Sequence, residues 1–226
     1  MKKLLQTLAL ASCLAAASGT NAQIVVPDYG DTGWQTFSRT LGSTFNGTVR
    51  IGVANEGDDM VSSRLLLDNF QGLSLTNPSF ETGDFSGWNL VGSGSVSSST
   101  TADLGTVYGP TDGTYFAELS SGSSESADWL DALLPPGYDA YNGSWLEFNV
   151  NIPAGATVSF DWAFLAGDHV PFHDFAFLWY QEPGAAPSLE PLAYIDSVPE
   201  PAPLVLMALG LLVTTAVGRR KEKSVA

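Results

Sequence analysis

Few side chains in this sequence are equipped for chemistry, and their spacing narrows the choice further. His169 and His173 are the only histidines, in Asp168-His169-Val170-Pro171-Phe172-His173-Asp174. Histidines four apart suit a zinc pair on one helix face, but Pro171 between them breaks helical spacing. With an aspartate beside each, the segment reads as a loop metal site or, more plainly, as a polar loop between strands. Glu56, Asp58 and Asp59 make an acidic turn without the spacing of a calcium-binding EF-hand loop. Neither a Gly-x-Ser-x-Gly elbow nor a phosphate-cradling glycine loop with lysine is present, and neither histidine stands in a serine-hydrolase context. Carboxylate pairs of the glycosidase kind depend on a separation in space, and no motif nominates one. The expectation is a protein that is not an enzyme. Trp129, Tyr138, Tyr141 and Trp145 lie in or beside a loop-rich stretch. Aromatic planes presented that way stack on sugar rings, so these four are the candidate ligand-binding platform; packed inward, they would be core instead. Trp34, Trp88 and Trp162 are assigned to the core.

The charge balance excludes one class of partner. The chain has 226 residues, 44% hydrophobic and 15% charged, with 9 Lys+Arg against 24 Asp+Glu. Setting aside Glu200 and Glu222 leaves 22 acids over residues 23–198, against Arg39, Arg50 and Arg64 alone and no lysine, a net charge of −19. Such a surface repels phosphate backbones, so nucleic-acid binding is not expected. The one cysteine, Cys13, lies near the amino terminus, which leaves no disulfide framework for the body.

Both ends read as addresses. Lys2 and Lys3 precede an apolar run over 4–17, and small residues lead to Thr20-Asn21-Ala22. This is the pattern of a secretory signal peptide over residues 1–22, cleaved by signal peptidase before Gln23. Leu10-Ala11-Ser12-Cys13 also matches a bacterial lipobox, which would anchor the chain by acylated Cys13. Against that, the apolar run continues past the cysteine. Near the other end, residues 203–218 form an uncharged apolar stretch followed by Arg219, Arg220 and Lys221. A membrane span needs about 20 apolar residues, so this one is short, but the basic stop suits a transmembrane helix over about 203–218 with a tail over 219–226.

Val198-Pro199-Glu200-Pro201-Ala202, an apolar segment and an arginine-rich tail together resemble a PEP-CTERM sorting signal over residues 198–226. In that family the tripeptide, here Pro199, Glu200 and Pro201, is read by an exosortase, a membrane-embedded cysteine peptidase-transpeptidase. The resemblance implies export across the inner membrane of a Gram-negative bacterium and transient anchoring by the carboxy-terminal helix. It further implies delivery to the cell surface or the exopolysaccharide matrix of a biofilm.

The body, residues 23–197, is long enough to bury roughly 70% of its unfolded surface. Apolar and polar residues alternate over 146–150 and 158–164, as in half-buried strands. Residues 175–180 are apolar on both faces, which suits a central strand covered on each side. Further strands are expected over 34–41, 48–53, 64–70, 88–91 and 115–119. A helical turn is expected over 128–134, and a flexible Ser/Thr-rich loop over 93–102. The fold class is all-β, a jelly-roll β-sandwich.

Residues 77–88, Asn-Pro-Ser-Phe-Glu-Thr-Gly-Asp-Phe-Ser-Gly-Trp, resemble the opening strand of carbohydrate-binding jelly-roll modules. Leu66-Leu67-Asp68-Asn69-Phe70 is similar to their closing strand. In such modules the glutamate and the aspartate often hold a structural Ca²⁺, which implies Glu81 and Asp68 here, with help from Asn77 or Asp84. Because the closing piece precedes the opening piece, either the domain is circularly permuted or residues 31–75 are a partial preceding repeat. The resemblances together imply an exported, non-catalytic protein that binds or organises extracellular polysaccharide. The alternative is a structural surface or matrix protein working through protein contacts and divalent-ion bridging.

Overall fold

A computed structural model describes residues 23–197. Thirteen strands run in chain order: β1 (Ile24–Val26), β2 (Gln35–Thr40), β3 (Phe45–Glu56), β4 (Arg64–Gln71), β5 (Asn89–Val91), β6 (Ser93–Ser97), β7 (Thr100–Thr101), β8 (Val107–Tyr108), β9 (Phe116–Ser120), β10 (Ala140–Ile152), β11 (Thr157–Leu165), β12 (Phe175–Gln181) and β13 (Ser188–Ile195). One 3₁₀ turn, Asp128–Leu133, interrupts them at the place the sequence indicates. A six-stranded sheet has the order β1-β13-β12-β3-β10-β5, a five-stranded sheet the order β2-β11-β4-β9-β6, and β7 pairs with β8. The described residues are therefore all-β apart from that one turn.

The two large sheets share one core. Ile51, Val53, Leu146, Ala176 and Leu178 from the first meet Phe37, Leu65, Leu67, Phe160, Trp162 and Phe164 from the second. Phe70 links them through a ring stack on Phe160 at 5.2 Å and a tilted contact with Trp88 at 4.8 Å. Alternation then places a second set of apolar residues on each outer face. Phe175, Phe177 and Trp179 point away from the core on the six-stranded sheet and are covered by Ala127, Trp129 and Leu130 of the 3₁₀ segment. On the five-stranded sheet Leu66, Ala163, Leu165 and Phe116 are covered by Ala102 and Tyr108. This double covering is why residues 65–67 and 175–179 read as unbroken apolar runs.

Close contact on the outer face also fixes Gly52. A Cβ there would lie 2.4 Å from the Ser144 carbonyl oxygen, 2.6 Å from Trp145 Cβ and 2.8 Å from the Phe177 ring. Only a bare backbone fits beneath those two rings.

Several expectations are corrected. Residues 93–97 are not a loop but the edge strand β6, paired with β9 from Ser93↔Ser120 to Ser97↔Phe116. Its small polar side chains suit an exposed edge, where pairing is needed on one side only. The opening-strand resemblance places a strand at 77–88, but Asn77–Gly87 is a run of turns; Asn77 and Phe80 have φ near +58° and Gly83 and Gly87 have positive φ. β13 escapes sequence reading because Pro191 sits inside it, at an irregularity opposite Phe177 where no ladder bond is required of it. β1, too short to signal itself, pairs with β13 in parallel.

Residues 31–75 supply interior strands to both sheets: β3 between β12 and β10, and β4 between β11 and β9. They are thus woven into the same body as 77–181 and do not form a separate preceding repeat. A fragment spanning 77–181 is expected to give a collapsed, exchange-broadened amide NMR spectrum, while 23–197 gives a dispersed one. Leu130→Ala, which truncates the fully buried side chain of the 3₁₀ turn, is expected to cost about 2–5 kcal/mol in denaturant unfolding.

Candidate functional site

The aromatic residues chosen as a sugar platform divide. Tyr141 and Trp145 lie on β10 itself and not in a loop. Trp145 is only 6% exposed; it packs edge-to-face on Trp129 at 5.2 Å. Trp129 is half-buried and also meets Trp179 edge-to-face at 5.7 Å. The Arg50 guanidinium sits 4.5 Å from the Trp129 ring and 4.7 Å from that of Trp179, while its Nε donates to Glu147 at 2.6 Å. A partly desolvated cation held between two indole faces stabilises the stack. Trp129 and Trp145 both bury an indole Nε1 that meets no hydrogen-bond acceptor. Trp145 is therefore an internal part of this cluster, which corrects its placing on an exposed platform: outward alternation on β10 aims it under the 3₁₀ cover. Tyr141, 50% exposed, does present a free ring. Tyr138 is half-buried, with its ring 5.4 Å from that of His173. Of the tryptophans assigned to the core, Trp88 and Trp162 are buried. Trp34 is half-buried on the outer face against Phe116 and Tyr108.

Of the four residues named for calcium, Asp68 and Glu81 each clamp part of the 111–115 loop. Asp68 is wholly buried. One of its oxygens accepts the Asn69 amide at 2.7 Å, and the other accepts the amides of Thr111 at 2.7 Å and Asp112 at 3.0 Å. Burial pushes its carboxyl above the usual range, against the pull of those donors. Glu81 accepts the amides of Thr114 and Tyr115, both at 2.9 Å. Gly113 lies between, at φ +68°, where a Cβ would collide with the Glu81 carboxylate at 2.3 Å. Asn77 and Asp84 belong instead to the adjoining turns: Asn77 Nδ2 donates to Thr82 Oγ1 at 2.7 Å, and Asp84 Oδ1 accepts the Ser86 amide at 2.9 Å. Asp84, thus bonded from Ser86 and Thr82, is held below the usual carboxylate range. Among the described residues no three His, Cys, Asp or Glu side chains assemble as a metal group. A calcium cage wants carboxylate oxygens converging on the ion; here Asp68 turns to the amides of Asn69, Thr111 and Asp112, and Glu81 to those of Thr114 and Tyr115. The set as arranged does not fit the ion.

A third group occupies the end of the sandwich where β3 ends. Glu56, expected in a solvated turn, is the last residue of β3 and is buried, because its side chain turns back to take the His173 amide at 2.9 Å. Asp174 accepts the Glu56 amide at 3.1 Å and the Ser63 hydroxyl at 2.7 Å. Burial, with the Asp168 and Asp58 carboxylates adding to it, pushes Asp174 up to about 7 despite those two bonds. His169 is bonded to Asp168 at 2.8 Å through Nδ1, and His173 donates from Nδ1 to the Ile195 carbonyl at 2.8 Å. The two imidazoles thus serve separate partners within the loop between β11 and β12.

At the opposite end the sheets part around an apolar cavity of about 70 Å³, among Leu41, Phe45, Leu73, Val150, Ile152 and Val158. Arg39 at its border is paired with Glu190 at 2.5 Å.

The segments read as addresses, 1–22 and 198–226, including Pro199, Glu200, Pro201 and Arg219, Arg220, Lys221, lie outside the described residues. Among the described residues no helix is long and apolar enough to cross a membrane. Over residues 197–221 the chain matches the family model of the PEP-CTERM protein-sorting motif. The chain carries a PEP-CTERM signal. That motif implies an exported protein sorted to the cell surface, with an exosortase as its processing partner. No curated protein and no solved structure gives a significant match. The matched segment begins at Ser197, two residues beyond the last residue of β13.

Two measurements test the site chemistry. Asp68→Asn, which turns one acceptor into a donor facing buried amides, is expected to cost about 1–3 kcal/mol, while excess chelator leaves the wild-type Tm unmoved. A Tm that climbs on calcium addition in the wild type alone would reinstate the cation. The second is pH. Folded Asp174 keeps its proton to about pH 7, whereas the unfolded chain loses it near pH 4. The folded state therefore binds more protons between those limits, and stability falls as pH rises through them. Tm is expected to be lower at pH 8 than at pH 5, and Asp174→Asn to shrink that difference.

Proposed function

We propose that this PEP-CTERM chain is a non-catalytic extracellular protein of jelly-roll class that binds and organises exopolysaccharide in the matrix of a Gram-negative bacterium. The observation that carries the reading is the sorting motif at 197–221, which gives the body an address outside the cell. Sugar recognition at Tyr141 is supported by its 50% exposed ring. Half-buried Tyr138 stands near it in sequence, and phenol rings offer both the plane and the polar edge that stacking on a sugar requires. The test is co-sedimentation of the purified mature protein with the host's own exopolysaccharide. Tyr141→Ala is expected to weaken retention several-fold with Tm unchanged. Equal retention of the variant would count against a sugar site there.

A second reading, matrix assembly through divalent-ion bridging, is favoured by a separate observation. All three arginines of the body are paired with carboxylates: Arg39 with Glu190, Arg50 with Glu147, and Arg64 with Asp103 and Glu118. Exposed acids such as Asp28, Asp59, Glu125 and Asp128 have no arginine of their own among the described residues. In this reading millimolar calcium or magnesium cross-links copies, and light scattering rises with the ion and falls with chelator without any polysaccharide.

A further inference from the structure

The carboxyl end of the domain is pinned at the acidic end of the sandwich. The Asp196 amide donates to the Val26 carbonyl at 3.1 Å and the Ile195 amide to the Asp174 carbonyl at 3.0 Å, while His173 holds the Ile195 carbonyl. Pro199 is the third residue after Asp196. A chain advances at most ~3.6 Å per residue, so Pro199 lies within ~11 Å of Asp196 by any path. The apolar run from Pro203 starts within ~25 Å by the same limit. An enzyme embedded in the membrane cannot take hold of Pro199-Glu200-Pro201 without coming against this end of the folded domain.

The surface it would meet is continuous. The Tyr29 amide bonds the Asp168 carbonyl at 3.1 Å, and Asp28 accepts the Val170 amide at 3.0 Å. Gly57 lies beneath the Phe172 ring, and Glu56 bonds the His173 amide. The loops at 27–31, 57–62 and 168–173 therefore surround the exit of β13. Asp28 and Asp59 are exposed, Asp58 and Asp196 half-exposed, and buried Glu56, Asp168 and Asp174 lie among them. Arg39, Arg50 and Arg64 are all engaged elsewhere. Among these acids stand Met60 (79% exposed), Val61 (40%) and Tyr29 (39%), apolar groups left on an anionic field. A bilayer with anionic headgroups would repel that field, whereas a basic protein surface with an apolar seat complements it.

We propose that this end is a docking surface for the extracytoplasmic face of the exosortase, engaged together with the tripeptide, and that the matching enzyme surface is basic and receives Met60 and Val61. The proposal rests on the sorting reading. It makes the folded domain, and not the signal alone, part of what the enzyme recognises.

The test follows processing of the full-length chain by pulse-chase in cells that contain the exosortase. Asp59→Lys/Met60→Ser is expected to slow conversion to the mature form about fivefold, since rim charges act mainly on the association rate, with Tm unchanged. Glu182→Lys, at the opposite end, is expected to leave the rate as it is. A twelve-residue Gly/Ser insert between Ser197 and Val198 is expected to slow processing and to make it indifferent to Asp59→Lys/Met60→Ser. Wild-type rates for that double variant, or equal slowing by Glu182→Lys, would overturn the docking surface while leaving the sorting reading standing. Slowing that tracks lost binding to phosphatidylglycerol vesicles would overturn it too, assigning the face to lipid. Unimpaired processing of Glu200→Ala would instead remove the sorting reading, and the proposal with it.

Discussion

The structure depends on sheets that are apolar on both faces. A sandwich sheet ordinarily buries one face and wets the other. Here β12 sends Ala176 and Leu178 into the shared core, and Phe177 and Trp179 outward. An outward row of large aromatics cannot be left in water, so the chain must provide a cover, and the segment around Leu130 is that cover. The same demand on the other sheet draws Ala102 and Tyr108 over Leu66, Leu165 and Phe116. Much that a first reading takes for loop is thereby covering structure, held by the faces it closes.

The covers bring buried polarity with them, and it is met in two ways. Where the partner is cationic, Arg50 is held between indoles and tied to Glu147. Where cations are lacking, backbone amides satisfy the carboxylate: buried Asp68 pins Thr111 and Asp112 over the five-stranded sheet, and exposed Glu81 holds Thr114 and Tyr115 beside them. A chain with three arginines over its body has few ion pairs to form, so amide donors and retained protons do the work that lysine does elsewhere. Tyr108 shows the proton-retaining case: burial and the neighbouring Asp31 carboxylate, which it bonds at 2.6 Å, push its hydroxyl well above the usual phenol range. Asp31, although burial works against it, is held below the carboxylate range by the bonds from Tyr108, Thr106 and Gly33.

How much was legible depended on whether a signal was local. Alternation over 158–164 marked β11, and the continuous run at 175–180 marked a doubly covered strand, because side-chain period and burial are local consequences of a pleated backbone. The edge strand β6 and the proline-bearing β13 were not legible. Their pairing comes from a partner distant in sequence, and their own residues carry no apolar alternation. The resemblance names Asp68 and Glu81 as ligands of one ion, whereas in the structure each grips amides of the 111–115 loop. Spacing records that two carboxylates matter without recording which groups they face.

By itself the sequence determined the all-β class, the acidic and lysine-free body, and the tripartite sorting signal at its end, each a property of composition or of contiguous pattern. Only the tertiary structure decided which aromatics are buried and which exposed, because outward alternation on β10 hides Trp145 under a cover supplied from residues 127–134. It alone decided that the chain leaves the domain among Asp28, Asp58 and Met60. That juxtaposition joins segments more than a hundred residues apart through parallel pairing of β1 with β13, and pairing at such range leaves no trace in local sequence.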